Sequence, residues 1–346
     1  MMTTLYRKYR PQKFEEIVGQ DHIVTVLKNA LKQGRVAHGY LFTGPRGTGK
    51  TTTARILARE LNCNDLDLIE VDAASNRGID EIRALRDTAR ISTGENSWRV
   101  FILDEAHMLT IAASNALLKS LEEPPPRTVF ILITTEQDKI IPTIKSRLQI
   151  LPFKSIALSD IILRLEQIVK KEKFKVDSKV IKAIAINASG GMRDAESNLT
   201  KILSIGKQVI LLEDIRHILG IIDEHLVIKY IELLFVGEKG KIFDFIKNLS
   251  DKGIQEKIFL KSLLEYWRKL ILISVNPDIA NDIASQLTKE DLTIIIRQAK
   301  KASSQILINC AQIFLQSFND SEKYPEQMMA LEIATLQCLC LFKKTT

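Results

Sequence analysis

No stretch constrains this 346-residue chain more than Gly44 to Thr51, GPRGTGKT. It lies between the apolar run Gly39-Tyr40-Leu41-Phe42-Thr43 and a helical pattern from Lys50 to Leu61, with Ala54, Leu57, Ala58 and Leu61 on one face. A buried strand, a glycine-rich turn and then a helix is the setting in which G-x-x-x-x-G-K-[ST] binds nucleotide phosphates. Gly44, Gly47 and Gly49 let backbone N–H groups turn inward around an anion. The helix N-terminus adds its unsatisfied donors and positive dipole end. Pro45, Arg46 and Thr48 complete the loop, and Thr52 carries it into the helix. In this chemistry Lys50 reaches the β- and γ-phosphates and Thr51 ligates Mg²⁺.

A second strand, Asp67 to Asp72, is followed by the loop Ala73 to Gly78. Beyond it lies a basic helix with Arg83, Arg86 and Arg90. Those arginines read equally as a solvated face or, with Arg77, as a surface that tracks nucleic-acid phosphates. The run Arg99 to His107, RVFILDEAH, is a continuous apolar strand ending in two acids, as suits a central parallel strand whose C-terminal end meets the ligand. There Asp104 can hold Mg²⁺ and Glu105 can orient or deprotonate an attacking water; acids in this position also cap helices. A helix from Asn115 to Glu123 stops at Pro124-Pro125-Pro126, and Thr128 to Thr134 is another buried strand, with Thr135 just past its end. The Thr135 hydroxyl can touch the γ-phosphate or the water, or be a routine turn threonine. Arg147 closes the short helix opened by Pro142, where the dipole favours a cation, and its outward charge also suits an arginine finger acting on a neighbour's nucleotide.

Composition narrows the class. The chain is 45% hydrophobic and 26% charged with a net charge of +7, as in a soluble globular protein that can meet an anionic partner without requiring one. No apolar run approaches the ~20 residues that span a bilayer, and the basic N-terminus lacks the apolar segment of a secretory signal, so a cytoplasmic protein without membrane contact is expected. The cysteines, Cys63, Cys310, Cys338 and Cys340, are too few and scattered for a disulfide framework and read as packing residues. At this length two or three domains are expected. From Leu158 the pattern is nearly all helical, with Leu158 to Glu172, Asp177 to Ala188, Met192 to Ile205 and Glu213 to Leu219 joined by short turns. Arg193 sits in a first helical turn, where the dipole disfavours a cation, although Asp194 and Glu196 compensate in part; this hints at a nearby anion. From about Asp223 the helices continue, broken near Gly237 to Gly240, Val275 to Pro277 and Asp320 to Tyr324, and hold no catalytic cluster. At the other end, residues 5–20 form a basic arm whose aromatic residues alternate with Arg and Lys, suited to stack on a base or to tack the arm to the body.

Taken in order, YRKYRPQKFEEIVGQ, HGYLFTGPRGTGKTTTARILARELNC, DLIEVDAASNRGIDEIR, VFILDEAHMLT, NALLKSLEEPP, ILITTE, IKSRL and GGMRDAESNL resemble the bacterial DNA polymerase III subunit gamma/tau family. Members of that family are the ATPases of the sliding-clamp loader. The resemblance implies an AAA+ fold in three parts: a parallel-sheet α/β P-loop domain over 1–156, a small helical lid over 157–221 and an all-α collar over 222–346 that holds subunits in a ring-like oligomer. It makes Lys50 and Thr51 the Walker A pair, Asp104 and Glu105 the Walker B acids, Thr135 the first sensor and Arg193 the second. Arg147 becomes the trans-acting finger, and Arg10 with its neighbours the segment against the adenosine. It further implies ATP and Mg²⁺ as ligands, delta- and delta-prime-type subunits, the sliding clamp and primer–template DNA as partners, and no polymerase active site. Family members commonly insert a four-cysteine zinc module after the first P-loop helix; here Cys63 is followed almost directly by the next strand, so no zinc site is expected. Arg147 is followed by Leu148 where a cysteine is usual. The ending after the collar matches a shorter, gamma-type form. The rival expectations are an AAA+ motor of Holliday-junction type and a scaffold that binds nucleotide without hydrolysis.

Overall fold

A computed structural model describes residues 4–89, 97–207, 209–211, 214–215, 220, 222–276 and 289–343. The chain divides into two compact units, Met1–Leu212 and Glu213–Thr346. Much of the helix expected over Glu213 to Leu219 lies outside the described residues, as do Arg90 and Pro277.

The first unit is built on five parallel strands in the order β2-β3-β4-β1-β5: β1 Gly39–Thr43, β2 Leu68–Asp72, β3 Arg99–Asp104, β4 Thr128–Thr134 and β5 Gln149–Pro152. Its helices are α1 Leu5–Lys8, α2 Asp21–Lys32, α3 Lys50–Glu60, α4 Ile79–Ala89, α5 Ile111–Glu122 and α6 Pro142–Lys145. The inner strands β1, β3 and β4 are continuous apolar runs because both sheet faces are covered there, with successive side chains divided between the faces, whereas the edge strands β2 and β5 are only partly buried. Tyr40, Phe42, Val100, Ile102, Val129, Ile131 and Ile133 pack with Leu27, Ala54 and Leu57 of α2 and α3. Leu41, Phe101, Leu103, Phe130 and Leu132 pack with Ile82, Ala113, Leu117 and Ile144 of α4, α5 and α6. The register Phe101↔Phe130 brings those rings into a stack with centroids 5.0 Å apart. Each such ring, fully buried, contributes on the order of 1.5–3 kcal/mol. The result for function is a stiff sheet whose strand ends cannot drift apart.

Three further helices, α7 Leu158–Glu172, α8 Ser178–Asn187 and α9 Met192–Leu203, complete the first unit with a two-stranded parallel pair, β6 Lys175–Val176 and β7 Val209–Ile210. Asp177 caps α8 by accepting from Lys179 N at 2.8 Å.

The second unit is helical throughout its described residues: α10 Glu224–Val236, α11 Lys239–Asp251, α12 Glu256–Val275, α13 Lys289–Ala299, α14 Ser304–Asp320 and α15 Met329–Lys343. Its core gathers Tyr230, Phe259, Trp267 and Phe314, all buried. The large polar side chains taken inside find partners, since Trp267 Nε1 donates to Leu307 O at 2.8 Å and Tyr266 Oη to Gln298 Oε1 at 2.8 Å, whereas Ser317 Oγ is buried with no hydrogen-bond partner among the described residues. Cys310 and Cys338 are buried as packing residues, whereas Cys340 is exposed and fills no core, because it falls on the outer face of α15. Among the described residues, no helix is long and apolar enough to cross a membrane.

Candidate active site

Within the first unit, the ends of β1, β3 and β4 and the starts of α3 and α9 meet around one cleft. β1 runs out into the phosphate loop, and α3 begins at Lys50 with Gly49 as its N-cap at φ +99°. Gly44, at φ +126°, cannot be another residue: a Cβ there would lie 2.2 Å from Phe153 O, beyond β5. The loop is thus pressed against the sheet edge, with the α3 N-terminus aimed across it. Lys50 is buried and donates from Nζ to Gly44 O at 2.6 Å and Pro45 O at 2.7 Å. Burial pulls its ammonium below the ordinary lysine range, and the carboxylates of Glu105 and Asp104 oppose that shift. A buried cation whose hydrogen bonds go to its own loop's carbonyls fits an anion far better than it fits a packed core.

At the end of β3, Asp104 Oδ2 accepts from Thr51 Oγ1 at 2.8 Å and Oδ1 from Glu105 N at 2.9 Å. Two hard oxygen donors held together beside a phosphate loop suit Mg²⁺, which takes few protein ligands and keeps several waters. Glu105 follows in the left-handed region at φ +49°. At the end of β4, Thr134 is fully buried and Thr135 is exposed.

Lys50, Thr51, Asp104, Glu105 and Thr135 line one cleft of about 1230 Å³, together with Arg10, Arg46, Thr48 and Arg193. Arg10 Nε donates to Thr52 Oγ1 at 3.2 Å, and its burial lowers its proton affinity. The opposite wall comes from α7 and α9. Met192 N, at the start of α9, donates to Gly47 O at 3.0 Å, so the helix docks directly on the phosphate loop. A Cβ on Gly47 would stand 3.1 Å from Gly191 Cα, and one on Gly191 3.1 Å from Arg46 O. The pair Gly190-Gly191 that precedes α9 therefore permits a close backbone approach.

The charge around Arg193 differs from the helix-dipole expectation. Glu196 is buried, its carboxyl pushed up to about 7 by desolvation and held against that by Arg164, 3.8 Å away, so its charge is tied to Arg164. Arg193 instead lies over the Tyr6 ring, 5.1 Å from its centroid. The N-terminal arm is tacked to this wall: Leu5 N donates to Thr200 Oγ1 at 3.2 Å, Arg164 Nη2 to Tyr9 O at 2.7 Å, and Tyr9 Oη to Glu172 Oε1 at 2.5 Å. The aromatic and basic alternation of the arm thus has a packing use, which the sequence left open.

Arg147 lies apart from these groups. It follows α6, donates from Nη1 to Thr143 O at 2.8 Å and pairs through Nη2 with Glu122 Oε1 at 2.7 Å. It is not among the residues lining its own chain's cleft. Arg77 and Arg83 are both exposed, and Arg83 pairs with Asp80 at 3.3 Å. Sequence reasoning passed over His107 and Thr134; the sole signal was a histidine following two acids at a buried strand end.

A family model described as DNA polymerase III, delta subunit, matches residues 19–70 and 64–157, and one described as DNA polymerase III subunits gamma and tau domain III matches residues 210–345. The DNA polymerase III subunit tau of Bacillus subtilis is 39% identical over 79% of this chain and 52% of its own length. Subunit gamma/tau of Mycobacterium tuberculosis is 34% identical over 97% of the chain and 62% of its own length. The chain thus spans roughly half to three-fifths of these two relatives. Subunit gamma of Buchnera aphidicola (subspecies Acyrthosiphon pisum) is 31% identical over 97% of the chain and 98% of its own length. Among solved structures, the RuvB Holliday junction branch migration motor of Thermotoga maritima superposes with a TM-score of 0.51 at 22% identity, over 65% of this chain and 79% of that one; the likeness is one of fold.

Proposed function

The chain belongs to the DNA polymerase III gamma/tau family, and from that premise we propose that it is an ATPase subunit of a replicative clamp loader, opening the sliding clamp and loading it on primed DNA in the cytoplasm at the nucleoid. The observation that carries this reading is the convergence of Lys50, Thr51, Asp104, Glu105, Thr135 and Arg193 on one cleft beside the phosphate loop. The backbone of Gly44 to Thr51 and the α3 N-terminus bind the anionic phosphates of ATP, and Lys50 exchanges its loop carbonyls for phosphate oxygens. Thr51 and Asp104 would hold Mg²⁺. The chemistry such an ion would supply is neutralisation of charge on the phosphate oxygens. Glu105 takes the proton of the attacking water, and Thr135 orients that water. Arg193 reaches in from the α7–α9 wall, and Arg10 with the arm lies along the adenosine.

Arg147 supplies charge to the nucleotide of an adjoining subunit, an assignment supported by its place outside its own cleft. We read the chain as a nucleotide domain over 1–156, a lid over 157–221 and a collar over 222–346, with the collar holding delta- and delta-prime-type neighbours in place. ATP then favours one arrangement of the whole assembly, which grips clamp and DNA, and hydrolysis releases it. DNA is met through its phosphates, so its binding weakens with salt and is largely indifferent to sequence.

The test is ATPase of the assembly reconstituted with clamp and primed DNA. Arg147→Ala lowers DNA-stimulated turnover by ~10³ or more while the separate chain still binds nucleotide. Glu105→Gln binds ATP and hydrolyses it poorly. Equal loss of binding and turnover in Arg147→Ala would make that arginine a helix cap, and undiminished turnover in Glu105→Gln would remove the general base. Processive movement along DNA without a burst on primed template would favour a motor instead.

A further inference from the structure

We infer that His107 is a positioning residue that seats Glu105 and ties it to the loop after β4. This rests on the ATPase reading above, since it concerns the group assigned to activate water. Glu105 leaves β3 in a left-handed conformation, φ +49°, that is unfavourable for a non-glycine residue. Its Oε2 is buried and has no hydrogen-bond partner among the described residues. A buried carboxylate oxygen in that state calls for a physical explanation. His107 Nδ1 lies 3.5 Å away, just outside hydrogen-bond reach.

The imidazole is itself fixed. Its side chain is 8% exposed, Nδ1 lies 3.0 Å from Thr134 Oγ1 and Nε2 lies 3.2 Å from Glu136 Oε1. Thr134 Oγ1 also accepts from Glu136 N at 2.9 Å, and Glu136 Oε2 pairs with Lys139 at 2.8 Å. A single ring therefore spans from the β3 end to the segment after β4. That segment carries Thr135 and leads into α6 and Arg147. A displacement of a few tenths of an ångström would bring Glu105 Oε2 onto Nδ1. A shift of Thr134 or Glu136 would move the ring and, with it, the carboxylate. His107 thus acts through Glu105 and does not itself meet the substrate.

Nucleotide affinity and turnover of the full chain, assembled with its neighbours, clamp and primed DNA, test the inference across His107→Ala, His107→Asn and His107→Gln, with Glu105→Gln as reference. Asn keeps a nitrogen near the Nδ1 position and Gln keeps one near Nε2. The expected result is a fall in kcat on the order of 10–100-fold for His107→Ala with nucleotide affinity unchanged, most of it restored by Asn and not by Gln. Wild-type turnover in His107→Ala would overturn the inference. So would a parallel loss of affinity and kcat, or failure of the Asn variant to recover while its thermal melting matches wild type. If the wild-type assembly hydrolyses no ATP, or Glu105→Gln hydrolyses it normally, the ATPase reading falls, and the seat for Glu105 falls with it.

Discussion

Glu196 shows how a single residue records the environment around it. Desolvation raises its carboxyl to about 7 in the folded chain, while the unfolded chain keeps the ordinary value of 4.5. Between those values the folded state binds the extra proton, so its contribution to stability is greatest in acid and is lost as pH rises toward 7. Glu196→Gln lacks this titration and leaves Arg164 its bond to Tyr9 O at 2.7 Å. Its stability relative to wild type is therefore expected to rise between about pH 5 and about pH 8 in urea unfolding. A difference that is flat across that window would mean that the Arg164 pair, rather than burial, sets the carboxyl. In sequence this glutamate reads only as a charge that, with Asp194, partly compensates Arg193 in the first turn, since helical spacing gives which residues are neighbours along α9 and not how deeply each is buried.

Among elements, the junction of α9 with the phosphate loop is the one that both shapes the cleft and was only half legible beforehand. Helix α5 begins at Ile111, capped by Thr110, and not at the expected Asn115, but some helix boundaries were readable from local chemistry, such as Pro142 opening α6 and the proline run that ends α5. What α9 touches was not, because the hydrogen bond from Met192 N to Gly47 O joins segments far apart in the chain. Gly47 carries φ +77° and faces Gly191, so Gly47→Ala combines left-handed strain with a crowded contact. Roughly 1–2 kcal/mol of local destabilisation is expected, with weaker nucleotide binding in titration. Gly191→Ala meets Arg46 O at 3.1 Å from an ordinary backbone conformation, φ −100°, and should cost less. The reverse order would place the constraint in the α8–α9 turn and not in the loop.

For the whole molecule, every residue lining the cleft falls in the unit Met1–Leu212. Residues 1–212 expressed alone should therefore bind nucleotide as the full chain does. They should fail to show DNA-stimulated turnover, because the finger role proposed for Arg147 needs a neighbour and the helical unit after residue 212 is proposed to hold it there. Equilibrium binding and steady-state ATPase on the truncated chain check both halves. Lost binding in a chain with native helix content would show that the second unit shapes the cleft.

The sequence by itself determined the buried strands β1, β3 and β4, where the phosphate loop opens and which acids end β3, because continuous apolar runs, glycine spacing and strand-terminal charge are local properties of the chain, whereas the largely exposed edge strand β5 carried no such run. It also carried the family, through a series of motifs in one order. Only the tertiary structure decided that α9 closes on the loop, that Arg193 lies over Tyr6, that Arg147 stands outside its own cleft, and that His107 stands between Glu105 and the β4 end. Those facts arise from contacts between segments distant in sequence, which depend on how deep each element is buried and on the register of its neighbours. The opening glycine loop thus specified phosphate binding, and the packing around it specified what else can reach the phosphate.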